Sequence, residues 1–426
     1  MYGKNFSVAF STLSLLALLG MIAAAIVGLA ATPAIADPLY SLLKTIPVPS
    51  DAANVQPGGA FTSFDISFFD PVTRNDYVAD RSNASVDIFS GASLSFLGRA
   101  TGFTGQGATT SVSGADGVLT VTSGGITTLY AGDGNSTLKV FNATNPAAPS
   151  LLQSISTGGA FRVDEMAYSP LTHQVLAANN ADAPAFGNIF QTTNGGPPVT
   201  LTHSPIIIPG AANTDGLEQP VWNPNTGTFF ISVPAFNGDQ GGVAEIKTDG
   251  TVGRLYKFAS MAGGPATCGP TGLALGASGN LLVGCGSGQA VLLNPTGSGS
   301  IVKLFPQISN TDEIWYDPRL AEFFVTGANS SGARVFDVIG DASQLILQSV
   351  LLGVLNASNP HSISVDPVTG DVFVPLAGST LTVPNSLCPL GCIAVFAQVP
   401  GPPTYLLMLV AGLGLVYVVA RRRERT

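Results

Sequence analysis

The chain has 426 residues, 45% of them hydrophobic and only 10% charged, with 17 basic against 26 acidic side chains and a formal net charge of −9. An acidic balance of this kind argues against nucleic acid or an anionic lipid surface as the main partner, and a divalent cation or a cationic surface suits it better. Fifty glycines and thirty prolines in so apolar a chain predict many short strands joined by tight turns.

In chain order, Lys4 precedes an apolar stretch over 8–31, and "ATPAIA" ends at Ala36 with small residues at Ala34 and Ala36. Residues 1–36 therefore read as a secretory signal cut by signal peptidase, with an uncleaved anchor helix as the alternative. Residues 37–60 read as a closing strand and linker, because "PLYSLLKTIPVP" is similar to "PSLLQSIST" and both lead into "GGAF".

Residues 61–398 contain seven copies of one plan: an apolar run, a turn rich in Asp, Pro, Asn or Gly, a second run, a polar loop and a third strand. "MAYSPLTHQVLAANNADAPAFGNIF" and "IWYDPRLAEFFVTGANSSGARVF" are two of them. Six copies are followed by a fourth run such as "SLLQSI" or "LILQSV". Four antiparallel strands per repeat of about 50 residues predict an all-β fold, a seven-bladed β-propeller. The seventh copy lacks its fourth strand, and residues 39–48 are expected to supply it by pairing with 392–398, which removes two open sheet edges.

Aligning the copies on the first turn puts Asp65, Asp116, Asp164, Glu218, Thr271, Asp312 and His361 at one position ahead of each innermost strand, where they would ring the mouth of the central channel. The next position adds Glu165, Gln219, Glu313 and Ser362. Loops between the second and third strands open on the same face with Asp80, Asp133, Asp182 and Asp239. Converging carboxylates suit Ca²⁺, and Glu165, Glu218, Asp312 and Glu313 are the candidate ligands. The competing reading has the acids solvated or capping strand-end N–H groups.

Four cysteines in an exported chain favour disulfides, with Cys268–Cys285 across the "GASGN" turn and Cys388–Cys392 in "CPLGC" as the expected pairs among three connectivities. No Gly-x-Ser-x-Gly elbow, His-Glu-x-x-His helix or phosphate loop occurs. "GFTGQG" lies in an inter-blade loop, and "GDGNST" reads as a polar turn that lacks the last glutamate of a calcium loop.

The last 28 residues, 399–426, hold "VPGPP", an uncharged segment over 405–420 and then Arg421, Arg422, Arg423 and Arg425. The arginines fix that end on the cytoplasmic side of a membrane-spanning helix, which places the body outside the cytoplasm. This tail resembles the PEP-CTERM sorting signal of Gram-negative bacteria, apart from Gly401, where glutamate is usual; a plain C-terminal anchor helix is the alternative. The resemblance implies an exosortase as partner and delivery to the cell envelope, surface or extracellular matrix. "NPHSISVDPVTGDVFV" and "GPTGLALGASGNLLVG" resemble the blades of YVTN and NHL propellers, a class that includes scaffolds, binding proteins and lactonases.

The leading expectation is a non-catalytic binding or scaffold protein that meets an unknown extracellular ligand or protein through the acidic mouth, with or without calcium. The alternative is a metal-dependent lactonase resembling gluconolactonases, in which the same four carboxylates hold the ion and Asp164 or His361 accepts a proton.

Overall fold

The structure is a computed structural model, and it describes residues 39–213, 216–329, 331–352, 361–378 and 388–399. The expected signal segment over 1–36 and the expected membrane-spanning helix over 405–420 lie outside the described residues. Among the described residues no helix is long and apolar enough to cross a membrane. The propeller occupies the compact unit Tyr40–Gln398.

Seven four-stranded antiparallel sheets succeed one another along the chain. Blade 1 runs from innermost to outermost strand as Phe64–Asp70, Asn75–Asp80, Ser85–Ser90 and Ser95–Thr101. The innermost strands of blades 2 to 7 are Val118–Ser123, Met166–Ser169, Pro220–Asn223, Pro270–Leu275, Ile314–Asp317 and Ser364–Val365.

Burial explains the sequence pattern strand by strand. Second strands such as Thr228–Val233 ("TFFISV") and Leu281–Cys285 are buried at every position, because neighbouring blades cover both faces. They read as continuous apolar runs, not as the alternation expected of a half-buried strand. Alternation with water survives in parts of outermost strands, as at Gln153–Ser156, where Gln153 and Ile155 are partly covered and Ser154 and Ser156 are exposed. The core is correspondingly split into seven clusters, one between each pair of adjacent blades, such as Tyr77 and Ile88 with Leu129 between blades 1 and 2.

First hairpins are locked by their own turn side chains. Asp70 Oδ1 accepts from the N–H of Val72 at 2.8 Å, Asp317 Oδ1 from Arg319 at 2.8 Å and Asp366 Oδ1 from Val368 at 2.9 Å. Each is an Asx turn, which is why Asp-Pro recurs there.

The ring closes as expected from the sequence. Blade 7 has Leu39–Pro47 as its outermost strand, beside Cys392–Val399, Val372–Leu376 and the short innermost strand. Tyr40 anchors that strand, its ring lying edge-on to Phe324 and Phe336 of blade 6 while its hydroxyl accepts from Gln398 Nε2 at 2.9 Å. Blade 1 is stitched to blade 7 by Arg74 Nε on Asp366 at 3.0 Å and by Ser364 Oγ donating to Asp76 Oδ1 at 2.8 Å. Both expected disulfides form, Cys268–Cys285 and Cys388–Cys392. The first ties the segment entering blade 5 to that blade's second strand.

Candidate functional site: a two-layered channel

The register of the hairpins fixes the ring position. Two residues beyond each ring residue, Ser67 faces Val78, Val118 faces Ala131, Met166 faces Ala177, Pro220 faces Ile231, Leu273 faces Val283 and Ile314 faces Val325. In blades 2, 3 and 4 the ring residue's N–H donates to the second strand, from Asp116 to Gly132, Asp164 to Ala178 and Glu218 to Ser232. Asp65, Asp116, Asp164, Glu218, Thr271 and Asp312 are thus structurally equivalent.

The carboxylates of this ring are not bare. Two arginines that do not belong to the repeat stand among them. Arg81, from the loop after Asp80, sets Nη2 2.6 Å from Asp65 Oδ2, and its Nε donates to Asp116 Oδ1 at 2.7 Å. Arg162 sets Nε 2.9 Å from both Asp164 Oδ2 and Asn180 Oδ1. Burial pushes Asp65 up, but Arg81 and Arg162 outweigh it and hold its carboxyl below the ordinary range. Burial pushes Asp116 up against the pull of Arg81.

Other ring members have less support. Burial raises Asp164 to about 7, with Asp65 adding to the rise and Arg162 opposing it. Burial also raises Asp312, to about 6, against the pull of His361. Glu218 is raised well above the carboxylate range by burial and by Asp164 and Asp312. His361 stacks on Phe64 with ring centroids 4.6 Å apart, and its Nε2 lies 3.7 Å from Asp65 Oδ1. Thr271 donates to the carbonyl of Thr311 at 2.8 Å and acts as a strand tie.

The position after the ring forms a second layer. Successive residues of a strand point to opposite sides, so Glu165 and Glu313 leave the mouth that Asp164 and Asp312 face. With Gln219 they end a cavity of about 600 Å³ along the axis, whose other end reaches Pro71, Pro170 and Pro318 in the first hairpin turns on the far face. Gln219 Oε1 accepts from the N–H groups of Leu273 at 2.6 Å and Ile314 at 3.0 Å, bridging blades 4, 5 and 6. Glu313 Oε2 accepts from Ser67 N–H at 3.3 Å and from Ser362 Oγ, bridging blades 6, 1 and 7. Glu165 is 2% exposed and both its oxygens lack a hydrogen-bond partner among the described residues. Burial, then Glu218 and Asp164, raise it well above the carboxylate range.

The sequence reading placed Glu165, Glu218, Asp312 and Glu313 in one ligand set, and the alternation divides them between the two layers. Among the described residues no group of three or more His, Cys, Asp or Glu side chains is arranged to hold a metal ion. Arg81 and Arg162 place positive charge against Asp65, Asp116 and Asp164. Sequence reasoning missed both arginines, although Arg162 stands two residues before Asp164 and Arg81 directly follows Asp80.

Acids of the neighbouring loops are turn locks. Asp80 accepts from Asn83 N–H at 3.0 Å, Asp182 from Ala160 N–H at 2.8 Å and Asp239 from Gly241 N–H at 3.0 Å. Asp133, in "GDGNST", accepts from Thr104 N–H at 2.9 Å and pairs with Lys139 Nζ at 2.8 Å. Away from the mouth, His173 meets Tyr168 Oη through Nδ1 at 3.0 Å, and His203 lies in the outermost strand Gly196–Ile206.

No family model and no curated protein matches the chain. Solved structures do resemble it. A crystal structure of Raptor from Chaetomium thermophilum aligns with a TM-score of 0.57 at 12% identity, covering 85% of this chain and 30% of that one. The chain therefore spans less than a third of that protein. A crystal structure of a mitotic checkpoint complex aligns with a TM-score of 0.55 at 10% identity, covering 87% of this chain and 95% of that one. At such identities the likeness shows the propeller fold alone.

Proposed function

We propose that the chain is an exported, surface-associated propeller that works as a non-catalytic binding or scaffold protein, taking a cationic group of an extracellular partner at its acidic mouth. The observation that carries this reading is the charge balance of the ring. Five acids, Asp65, Asp116, Asp164, Glu218 and Asp312, face two arginines, and the arginines pair with the first three. Glu218 and Asp312 remain, half-buried, and the charge of Asp312 adds to the proton affinity of Glu218. A cation brought to them relieves that repulsion, so a lysine or arginine of a partner fits better than an anion.

Export is supported by the 8–31 apolar segment, by the tail with its arginine cluster and by two disulfides. The finer assignment, a YVTN- or NHL-like propeller with a PEP-CTERM-like sorting tail, rests on the motifs quoted above. A non-catalytic role is supported by how firmly the mouth is tied. Asp65, Asp116 and Asp164 are held by guanidinium groups, which suits a rigid recognition surface.

Titrating the full chain with a tetralysine peptide tests the reading. Saturable binding that weakens with salt and is lost in Glu218→Gln/Asp312→Asn is expected. Binding unaffected by that double substitution contradicts it, as does metal-dependent lactone hydrolysis that disappears in Asp312→Asn/Glu313→Gln.

A further inference from the structure

The axial cavity below the mouth has features that the mouth does not use. Three long polar side chains end it, and two of them are spent on blade-to-blade hydrogen bonds, Gln219 and Glu313. Glu165 occupies the equivalent place in blade 3 and reaches no neighbour. Its two oxygens are buried, line the cavity and have no hydrogen-bond partner among the described residues. A buried carboxyl group without partners costs stability, so its retention asks for something to bind.

The walls define what that is. Phe68, Trp222 and Trp315 line the cavity, with Phe68 and Trp315 edge to face at 5.4 Å. Thr120 also lines it, and its hydroxyl and the indole N–H of Trp222 are further buried polar groups without a hydrogen-bond partner among the described residues. A volume of about 600 Å³ lies in the range of small-molecule sites, with few polar groups converging in a mostly apolar space. The charges that act on Glu165 are the carboxyl groups of Glu218, Asp164, Asp312 and Glu313, which disfavours any anionic ligand. One available carboxylate is too few for a divalent ion, which takes six or more oxygens. Aromatic surfaces beside a carboxylate are the surroundings that recognise an ammonium group carrying apolar substituents.

We propose that the channel binds a small organic amine from the face opposite the mouth, its ammonium group on Glu165 and its apolar body against Phe68, Trp222 and Trp315. The site is separate from the Glu218 and Asp312 surface, and either can fail without the other.

Trp222 and Trp315 are the two tryptophans of the chain, so intrinsic fluorescence reads occupancy directly. The full chain is titrated with 2-phenylethylamine and with 2-phenylethanol, which keeps the ring and removes the charge. The amine should give a saturable change, and the alcohol should bind at least about tenfold more weakly. Glu165→Gln should weaken the amine by at least about tenfold and leave the alcohol unchanged, while Glu218→Gln/Asp312→Asn, which removes charges acting on Glu165 but none lining the cavity, should weaken the amine less than Glu165→Gln does and leave the alcohol unchanged. Should Glu165→Gln fail to fold, the amine-to-alcohol ratio in the unaltered chain still decides. No saturable change, equal binding of amine and alcohol, or an amine affinity unchanged in folded Glu165→Gln overturns the proposal.

Discussion

Asp76 shows at the residue scale what burial does to an acid in this fold. It sits fully buried in the second strand of blade 1, accepts one hydrogen bond from Ser364 and leaves Oδ2 without a partner among the described residues. Burial raises it to about 7. A carboxyl group whose folded pKa exceeds its unfolded one stabilises fully below the unfolded value, near 4, and that stability is lost as pH rises through about 7. Asp76→Asn keeps the acceptor for Ser364 and removes the charge. Its expected effect is a gain that is larger at pH 8 than at pH 5 by about 2–3 kcal/mol, measured by denaturant unfolding at both values. A gain of equal size at the two pH values would contradict the assignment. The paired acids behave in the opposite sense: Asp65, held down by Arg81 and Arg162, adds stability above its unfolded pKa that is lost on acidification.

Among the elements, the strand Leu39–Pro47 carries the most consequence for its length, because without it Cys392–Val399 would become an open edge. Tyr40→Ala removes two edge-to-face aromatic contacts and a hydrogen bond, and should lower stability by about 3 kcal/mol. Deleting residues 37–50 should lower the thermal midpoint of the whole ring as one transition, followed by circular dichroism. An unchanged midpoint would mean that closure contributes nothing. Cys268→Ser/Cys285→Ser opens a bridge spanning 17 residues and should cost about 3 kcal/mol through the entropy of the unfolded chain.

This scale also shows what was legible in the sequence. The blades and the closing strand could be read because one pattern recurs seven times and its missing piece appears near the other end. The acid ring was legible for the same reason. Arg81 and Arg162 were not, because each occurs once, outside the aligned position. The division of Asp164 from Glu165, and of Asp312 from Glu313, was present in strand alternation, since consecutive residues cannot face the same way. The channel itself had no local signal. Phe68, Trp222 and Trp315 meet only because ring closure brings blades 1, 4 and 6 around one axis.

For the whole molecule, buried acids outnumber the arginines that could hold them ionised. Asp76 is raised to about 7, and Asp80 and Asp337 to about 6, in each case chiefly by burial. All three bind protons in the folded state that the unfolded chain has already released between pH 4 and 7. Stability should therefore fall as pH rises across that interval, and the thermal midpoint should be higher at pH 5 than at pH 8. A midpoint that rises with pH over the same interval would contradict this assignment of buried protons. The fold, shared with proteins as different as Raptor and a mitotic checkpoint complex, places these groups around an axis without prescribing their use.

We propose that the acid ring is held together by its own arginines, Arg81 and Arg162, without an added metal. Thermal unfolding of the full chain and of Arg81→Gln, each with and without EDTA, tests it most directly. The expected result is a midpoint unaffected by EDTA in the unaltered chain and lowered by about 5 °C or more in Arg81→Gln, which leaves Asp65 and Asp116 buried without their partner. A midpoint that drops with EDTA and is untouched by Arg81→Gln would contradict it.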